Sequence, residues 1–119
     1  WEYVLSDEAA AATLALSPRP LVLVGHSHVA LEVRWIDDAL DGGLAGAGSE
    51  VQLDGRVLLN PGSVGQPRDG DPRAAYLLLE LDGGTAAFHR VAYDVERTQA
   101  EMREARLPEA LAARLSHGE

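Results

Sequence analysis

The sequence predicts an α/β fold built on a mixed sheet with flanking helices. Three observations carry that reading. Leu21-Val22-Leu23-Val24 is a short, wholly apolar, β-rich run, the pattern of a strand buried on both faces inside an α/β sheet. Several further β-rich segments follow it, separated by turns rich in Asp and Gly. Helix-like segments stand before and after them.

The elements can be justified in order. Ser6 is a good N-cap, and Asp7 and Glu8 in the first turn suit the positive end of a helix dipole, so residues 7–16 read as a helix that Pro18 and Pro20 end. After the strand at 21–24, a second is expected at 29–36, where Val29, Leu31, Val33 and Trp35 alternate with Ala30, Glu32 and Arg34. Residues 37–50 carry Asp37, Asp38, Asp41, Gly42, Gly43, Gly46 and Gly48 and read as a mobile surface loop. Residues 51–53 and 56–59 flank Asp54-Gly55 and read as a hairpin. A turn-rich loop runs from Asn60 to Arg73, with three prolines and three glycines. A second hairpin is expected from 75–81 and 85–93 around Asp82-Gly83-Gly84. Asp94 can cap a helix over 95–106, Pro108 breaks it, and Leu107, Leu111 and Leu115 share a helical face beyond. Nothing marks a boundary inside the chain, so its 119 residues read as one unit.

Composition narrows the function. A hydrophobic content of 46% is near the globular average and permits a packed core. The formal net charge of −9 repels phosphate backbones, so general nucleic-acid binding is not expected. All ten basic residues are arginine, which grips phosphate bidentately but also follows from genomic composition. With no cysteine there is no disulfide, zinc ribbon or thiol catalysis, and metal chemistry must use His, Asp, Glu or Asn. No apolar run approaches the ~18 residues of a membrane span, so a cytoplasmic protein is the expectation. The chain opens at Trp1 and its one methionine is Met102, so a preceding segment is expected as well.

His26 and His28 are the sharpest chemical feature. They lie two apart at the end of a buried strand, where extended backbone turns both side chains to one side and where ligands of open α/β sheets bind. Two imidazoles there suffice for one ion, or for one each of a metal pair ~3.5–4 Å apart. Gly25 permits a tight turn and Ser27 need only be small. Two ordinary strand-end histidines, one bonded to a carbonyl, fit the same pattern. The stretch Asn60 to Arg73 offers closely spaced backbone N–H groups that can cradle an anion, with Arg68 or Arg73 in reach of a phosphate. It lacks the Gly-Lys-Ser/Thr ending of a Walker loop, and a purely structural loop fits it too. His89 reads as a sheet-surface residue, His117 as solvated, Asp37, Asp38 and Asp41 as a hydrated acidic loop, and Trp35 as packing.

Taken together, these residues resemble the calcineurin-like metallophosphoesterases. Leu21–His28 is similar to that superfamily's closing Gly-His-x-His motif. Asn60–Arg73 with Ala74-Ala75-Tyr76 resembles a Pro-Gly-rich stretch of a bacterial branch described as serine/threonine phosphatase-like or diadenosine-polyphosphatase-like. Trp1–Leu5 and Leu107–Leu115 are similar as well.

The resemblance implies half of a four-layer α/β/β/α sandwich, the C-terminal portion of one domain whose N-terminal half is absent here. It implies two divalent ions (Mn, Fe, Zn or Ni), with His26 on one and His28 on the other. It places Arg68, Ser63 and Asn60 beside a phosphorylated substrate. The family's other ligands lie upstream of Gly-His-x-His. They have no counterpart in this sequence, where no histidine precedes His26, and no catalytic residue is assigned within it. The expectation is a metal-dependent phosphomonoesterase or phosphodiesterase, completed by its missing N-terminal half. The alternative is a non-catalytic phosphate-binding or structural module of the same fold.

Overall fold

A computed structural model describes residues 6–119; the family-like opening at Trp1–Leu5 lies outside the described residues. The elements run α1 (Asp7–Leu16), β1 (Leu21–Leu23), β2 (Ala30–Ile36), β3 (Ala39–Leu44), β4 (Glu50–Gln52), β5 (Arg56–Pro61), β6 (Ala74–Glu80), β7 (Thr85–Val91), α2 (Val95–Glu104) and α3 (Glu109–Ala113), which tightens into a 3₁₀ turn at Arg114–Ser116. The Ser6 hydroxyl caps α1 by accepting from Ala9 N at 3.2 Å, and the Asp94 carboxylate caps α2 by accepting from Arg97 N at 2.9 Å, as the sequence predicts.

The strands form two sheets. The first has the order β1-β5-β2-β3 and is mixed: β1 runs parallel to β5, and the other pairs are antiparallel. The second, β4-β7-β6, is antiparallel throughout. Side-chain alternation along β5 assigns the layers. Val57 and Leu59 face the second sheet, where they pack with Val51, Ala86 and Phe88. Leu58 faces the other way and packs with Leu14 of α1 and Leu31 of β2. The first sheet is thus covered by α1 on one face and by the second sheet on the other. No helix among the described residues is long and apolar enough to cross a membrane.

Four expectations are corrected. The residues flanking Asp54-Gly55 make no hairpin: β4 joins β7 in the second sheet, while β5 joins β1 and β2 in the first. Gly55, at φ +70°, does turn the chain, but β5 is so deeply buried that it needs a neighbour on each edge. Residues 37–50 are not simply a loop. Asp37 and Asp38, at φ +47° and +62°, make a two-residue turn that pairs β3 with β2, Ile36 opposite Ala39. Left-handed φ at both central positions is what such a hairpin needs, and Asp tolerates it without an Asn-Gly signature. On β3 a Cβ at Gly42 would lie 2.2 Å from the Glu32 carbonyl oxygen, so that position requires glycine.

The run 21–24 is also not an interior strand. Among the described residues β1 is an edge strand paired only with β5, and Leu23 is 53% exposed. Beyond Pro108, Ala112 and Leu115 are buried, while Leu107 and Leu111 stay exposed. The tightening to 3₁₀ spacing puts residues three apart, rather than four, on one face.

Because Leu58 is fully buried under α1, Leu58→Ala should lower the free energy of unfolding by about 2–5 kcal/mol. Leu16→Ala, at a position 85% exposed, should change it by less than about 0.5 kcal/mol. Urea titration of the two variants measures the difference.

Candidate functional site

The site grows from the end of β1. The ladder to β5 continues one residue past the strand, Val24 N donating to Leu59 O at 2.9 Å, and the chain then folds over at Gly25–His28, with Ser27 N donating to Gly25 O at 2.9 Å. His26 and His28 have φ +72° and +62°, so both hold left-handed backbone that costs a non-glycine residue of order 1–3 kcal/mol. The two rings therefore share a tight turn, not the extended backbone from which the spacing was read. His26 is exposed and His28 half-buried.

Asn60, at the end of β5, holds this turn from beneath. Its amide donates to Ser27 Oγ at 2.8 Å and Gly25 O at 3.4 Å, and its Oδ1 accepts from Gly62 N at 3.0 Å. Asn60 is 0% exposed and both ends of its amide are engaged. Its geometry gives it a holding role for the turn. Ser27 also does more than stay small, since its buried hydroxyl is the acceptor that Asn60 uses.

The following loop lies directly on the turn. It leaves β5 through Gly62, whose φ is +83° and whose added Cβ would lie 2.9 Å from Ala75 Cβ and 3.2 Å from Ala30 Cβ. Arg68 N donates to His28 O at 3.0 Å, and Asp69 Oδ2 accepts from Ala30 N at 3.1 Å. His28 Nδ1 lies 2.8 Å from Gln66 O. A carbonyl oxygen only accepts, so Nδ1 carries the proton and the lone pair of the neutral ring resides on Nε2. That is the tautomer a metal-ligating histidine adopts when a carbonyl orients it.

The other candidates fall as follows. Arg68 is exposed and its Nη2 donates to Gln66 Oε1 at 3.2 Å; Ser63 Oγ accepts from Gln66 N at 3.0 Å. Arg73 is taken up by Asp71, with Nη2 to Oδ2 at 2.6 Å. His89 stacks on Tyr76 across β6 and β7, ring centroids 4.9 Å apart, a sheet-surface residue as expected. Asp37 and Asp38 sit at the far end of β2, about 20 Å along the strand from its start at the site. His117 is exposed in the final turn, and Trp35 packs against the cluster beneath α1.

Among the described residues no group of three or more His, Asp or Glu side chains is placed to hold a metal ion. The two imidazoles fit part of a metal site, through the tautomer of His28, and further ligands are needed to complete one. Sequence reasoning missed Asp69 and Arg90. They form an ion pair whose side chains are 6% and 5% exposed, and 21 residues separate them in sequence.

Arg73 also sets the acid response of the loop. Its guanidinium hydrogen-bonds the Asp71 carboxyl and, against some burial, brings it down to about 2 from the ordinary 3.8. A depressed carboxyl contributes stability that is complete above the unfolded value and is lost as pH falls through the folded one. Asp71→Asn should therefore be less stable than the parent at pH 5–7, by under about 1 kcal/mol for so open a pair. The gap should close between pH about 4 and 2, as read from thermal melts across that range.

No protein-family profile matches the chain. An uncharacterized protein of Methanocaldococcus jannaschii is 33% identical to it over 120 residues, which cover 99% of this chain and 46% of that protein. The crystal structure of a metallophosphoesterase from Sphaerobacter thermophilus superimposes at a TM-score of 0.91 with 44% identity, covering all of this chain and 50% of the other. The chain thus spans about half the length of the relatives it matches. With its mixed sheet, its flanking helices and this likeness along its whole length, the chain shares the fold of that metallophosphoesterase and fits the C-terminal half of it.

Proposed function

We propose that this chain supplies the C-terminal half of a phosphoester hydrolase that works with two divalent metal ions, His26 ligating one and His28 the other. The observation that carries the reading is the hydrogen bond between His28 Nδ1 and Gln66 O, which holds the ring with Nε2 as its lone-pair nitrogen. Two histidines held in left-handed backbone on one turn support it, because strain of this kind concentrates at functional positions. When bound, the ions supply Lewis-acid neutralisation of the phosphate oxygens and activate water for in-line attack on phosphorus. Imidazole ligands suit Zn, Fe or Ni, and an added carboxylate admits Mn.

The remaining roles belong to this chain's own residues. Asn60 and Ser27 keep the turn in place. Arg68, exposed beside His28, is the side chain with which the loop meets a substrate phosphate, and Ser63 lies on the same loop. A charge of −9 disfavours a nucleic-acid backbone as that substrate and leaves small phosphoesters or phosphoproteins. The rest of the domain is the natural partner. Among the described residues, the three-residue apolar strand β1, Leu21-Val22-Leu23, pairs with β5 alone and leaves its other edge open. We assign that edge to the N-terminal half.

A second reading, a non-catalytic module that binds a phosphate ligand or serves structure alone, draws on the lack of a third ligand among the described residues. One set of assays separates the two. The longer protein that carries this chain should hydrolyse an aryl phosphate with added Mn, lose that activity to a chelator, and fall at least about 100-fold in His26→Ala and His28→Ala. Residues 1–119 alone should stay at the background rate. A longer protein silent with Mn, Zn, Fe and Ni alike would favour the non-catalytic module.

A further inference from the structure

We infer that Arg90 and Asp69 are positioning residues for His28. Arg90 stands on β7 in the second sheet and takes no part in the turn itself. Its Nη2 pairs with Asp69 Oδ2, and its Nη1 donates to Asp71 O and Arg73 O, each at 3.3 Å. One guanidinium therefore grips the loop at residues 69, 71 and 73. From the other side of that grip, Asp69 Oδ2 accepts from Ala30 N, Arg68 N donates to His28 O, and Gln66 O receives the His28 Nδ1 proton. Residues 66, 68 and 69 form a short ladder with residues 28 and 30, and Arg90 anchors the ladder to the opposite sheet.

Physical grounds make this grip consequential. The loop between Gly62 and Arg73 has no strand or helix of its own, so the bonds that orient His28 come from backbone without local regularity. The Asp71–Arg73 pair is open to water and pins little. The Asp69–Arg90 pair is shielded from solvent, and a buried carboxylate deprived of its cation is held at a high cost. Asp69 Oδ1 is buried and takes no hydrogen bond from the described residues, so the charge of Asp69 depends on the contacts made by Oδ2. A staple joining two sheets would serve stability alone. A positioning pair would also set the His28 ring, which holds left-handed backbone that its surroundings must enforce.

The consequence for metal affinity rests on the proposed function; the consequence for the ring does not. The test uses the longer protein that carries this chain, labelled with ¹⁵N-histidine. Ring signals of His28 are identified by their loss in His28→Gln. The unaltered protein should show the Nδ1–H tautomer. In Asp69→Asn, Arg90→Lys and Arg90→Ala that ring should shift toward a mixture with the Nε2–H form, and the Kd for Co²⁺ should rise about tenfold. Arg73→Ala should leave both unchanged. If Arg90→Ala does not fold, the two conservative variants decide the matter, with circular dichroism confirming that they are folded. Folded Asp69→Asn and Arg90→Lys with an unaltered His28 ring would overturn the inference and leave the metallophosphoesterase reading standing. A shifted ring in a protein that binds no Co²⁺ would support the positioning role while the metal-ligand role fails.

Discussion

Strand β5 is buried on both faces and hydrogen-bonded along both edges, with Val57, Leu58, Leu59 and Asn60 each at 1% exposure or less. The other elements take their places from it. Its odd-numbered apolar residues call for the second sheet, and Leu58 calls for α1. The need for a neighbour on each edge draws β1 to one side and β2 to the other. A residue in this setting leaves no polar atom idle. The Arg56 guanidinium, at the head of the strand, donates to Leu14 O and Ser17 O at the end of α1. Asn60, at its tail, spends its whole amide on the turn and on the start of the loop. The same strand that forms the core thus delivers a buried amide to the candidate site.

The site itself is held from several directions, which is what two left-handed histidines on one turn require. Asn60 supports the turn from below, and the loop covers it through Gln66 and Arg68. Behind the loop stands an ion pair that ties it to β7 of the second sheet. Buried ion pairs of this sort contribute little net stability, since desolvation offsets much of their attraction. Their value lies in fixing one arrangement among several. A loop with three prolines and three glycines has many arrangements of similar energy, and a cation placed to meet Asp69 and two carbonyls selects one of them.

The first strand stands apart from the rest of the core. It is apolar along its full length, yet among the described residues it lies at an edge, with Leu23 largely exposed. Exposed apolar edges invite pairing, and isolated domains usually blunt them with charge, proline or a bulge. Pro20 stands just before β1, but no charge interrupts it. Coverage of half the length of the Sphaerobacter metallophosphoesterase accords with such an edge, and so does a turn that offers two imidazoles without a third ligand among the described residues.

The sequence by itself determined several local elements and pointed to the candidate site. Caps at Ser6 and Asp94, the apolar run at 21–24 and the hairpin around Asp82-Gly83-Gly84 all follow from nearest-neighbour physics: hydrogen bonds to free helix N–H groups, side-chain alternation, and glycine's freedom at positive φ. The spacing of His26 and His28 marked the candidate site in the same way, because both residues lie on one turn. Only the tertiary structure decided which strands pair. The turn at Asp54-Gly55 could close a hairpin as well as it crosses between sheets, and the burial demanded by Val57–Asn60 on both faces chose the crossing. It likewise decided the roles of Asn60, Asp69 and Arg90. A polar residue 21 or more positions from its partner leaves no periodic trace in sequence, and its function is set by which buried groups it must satisfy once the sheets have closed.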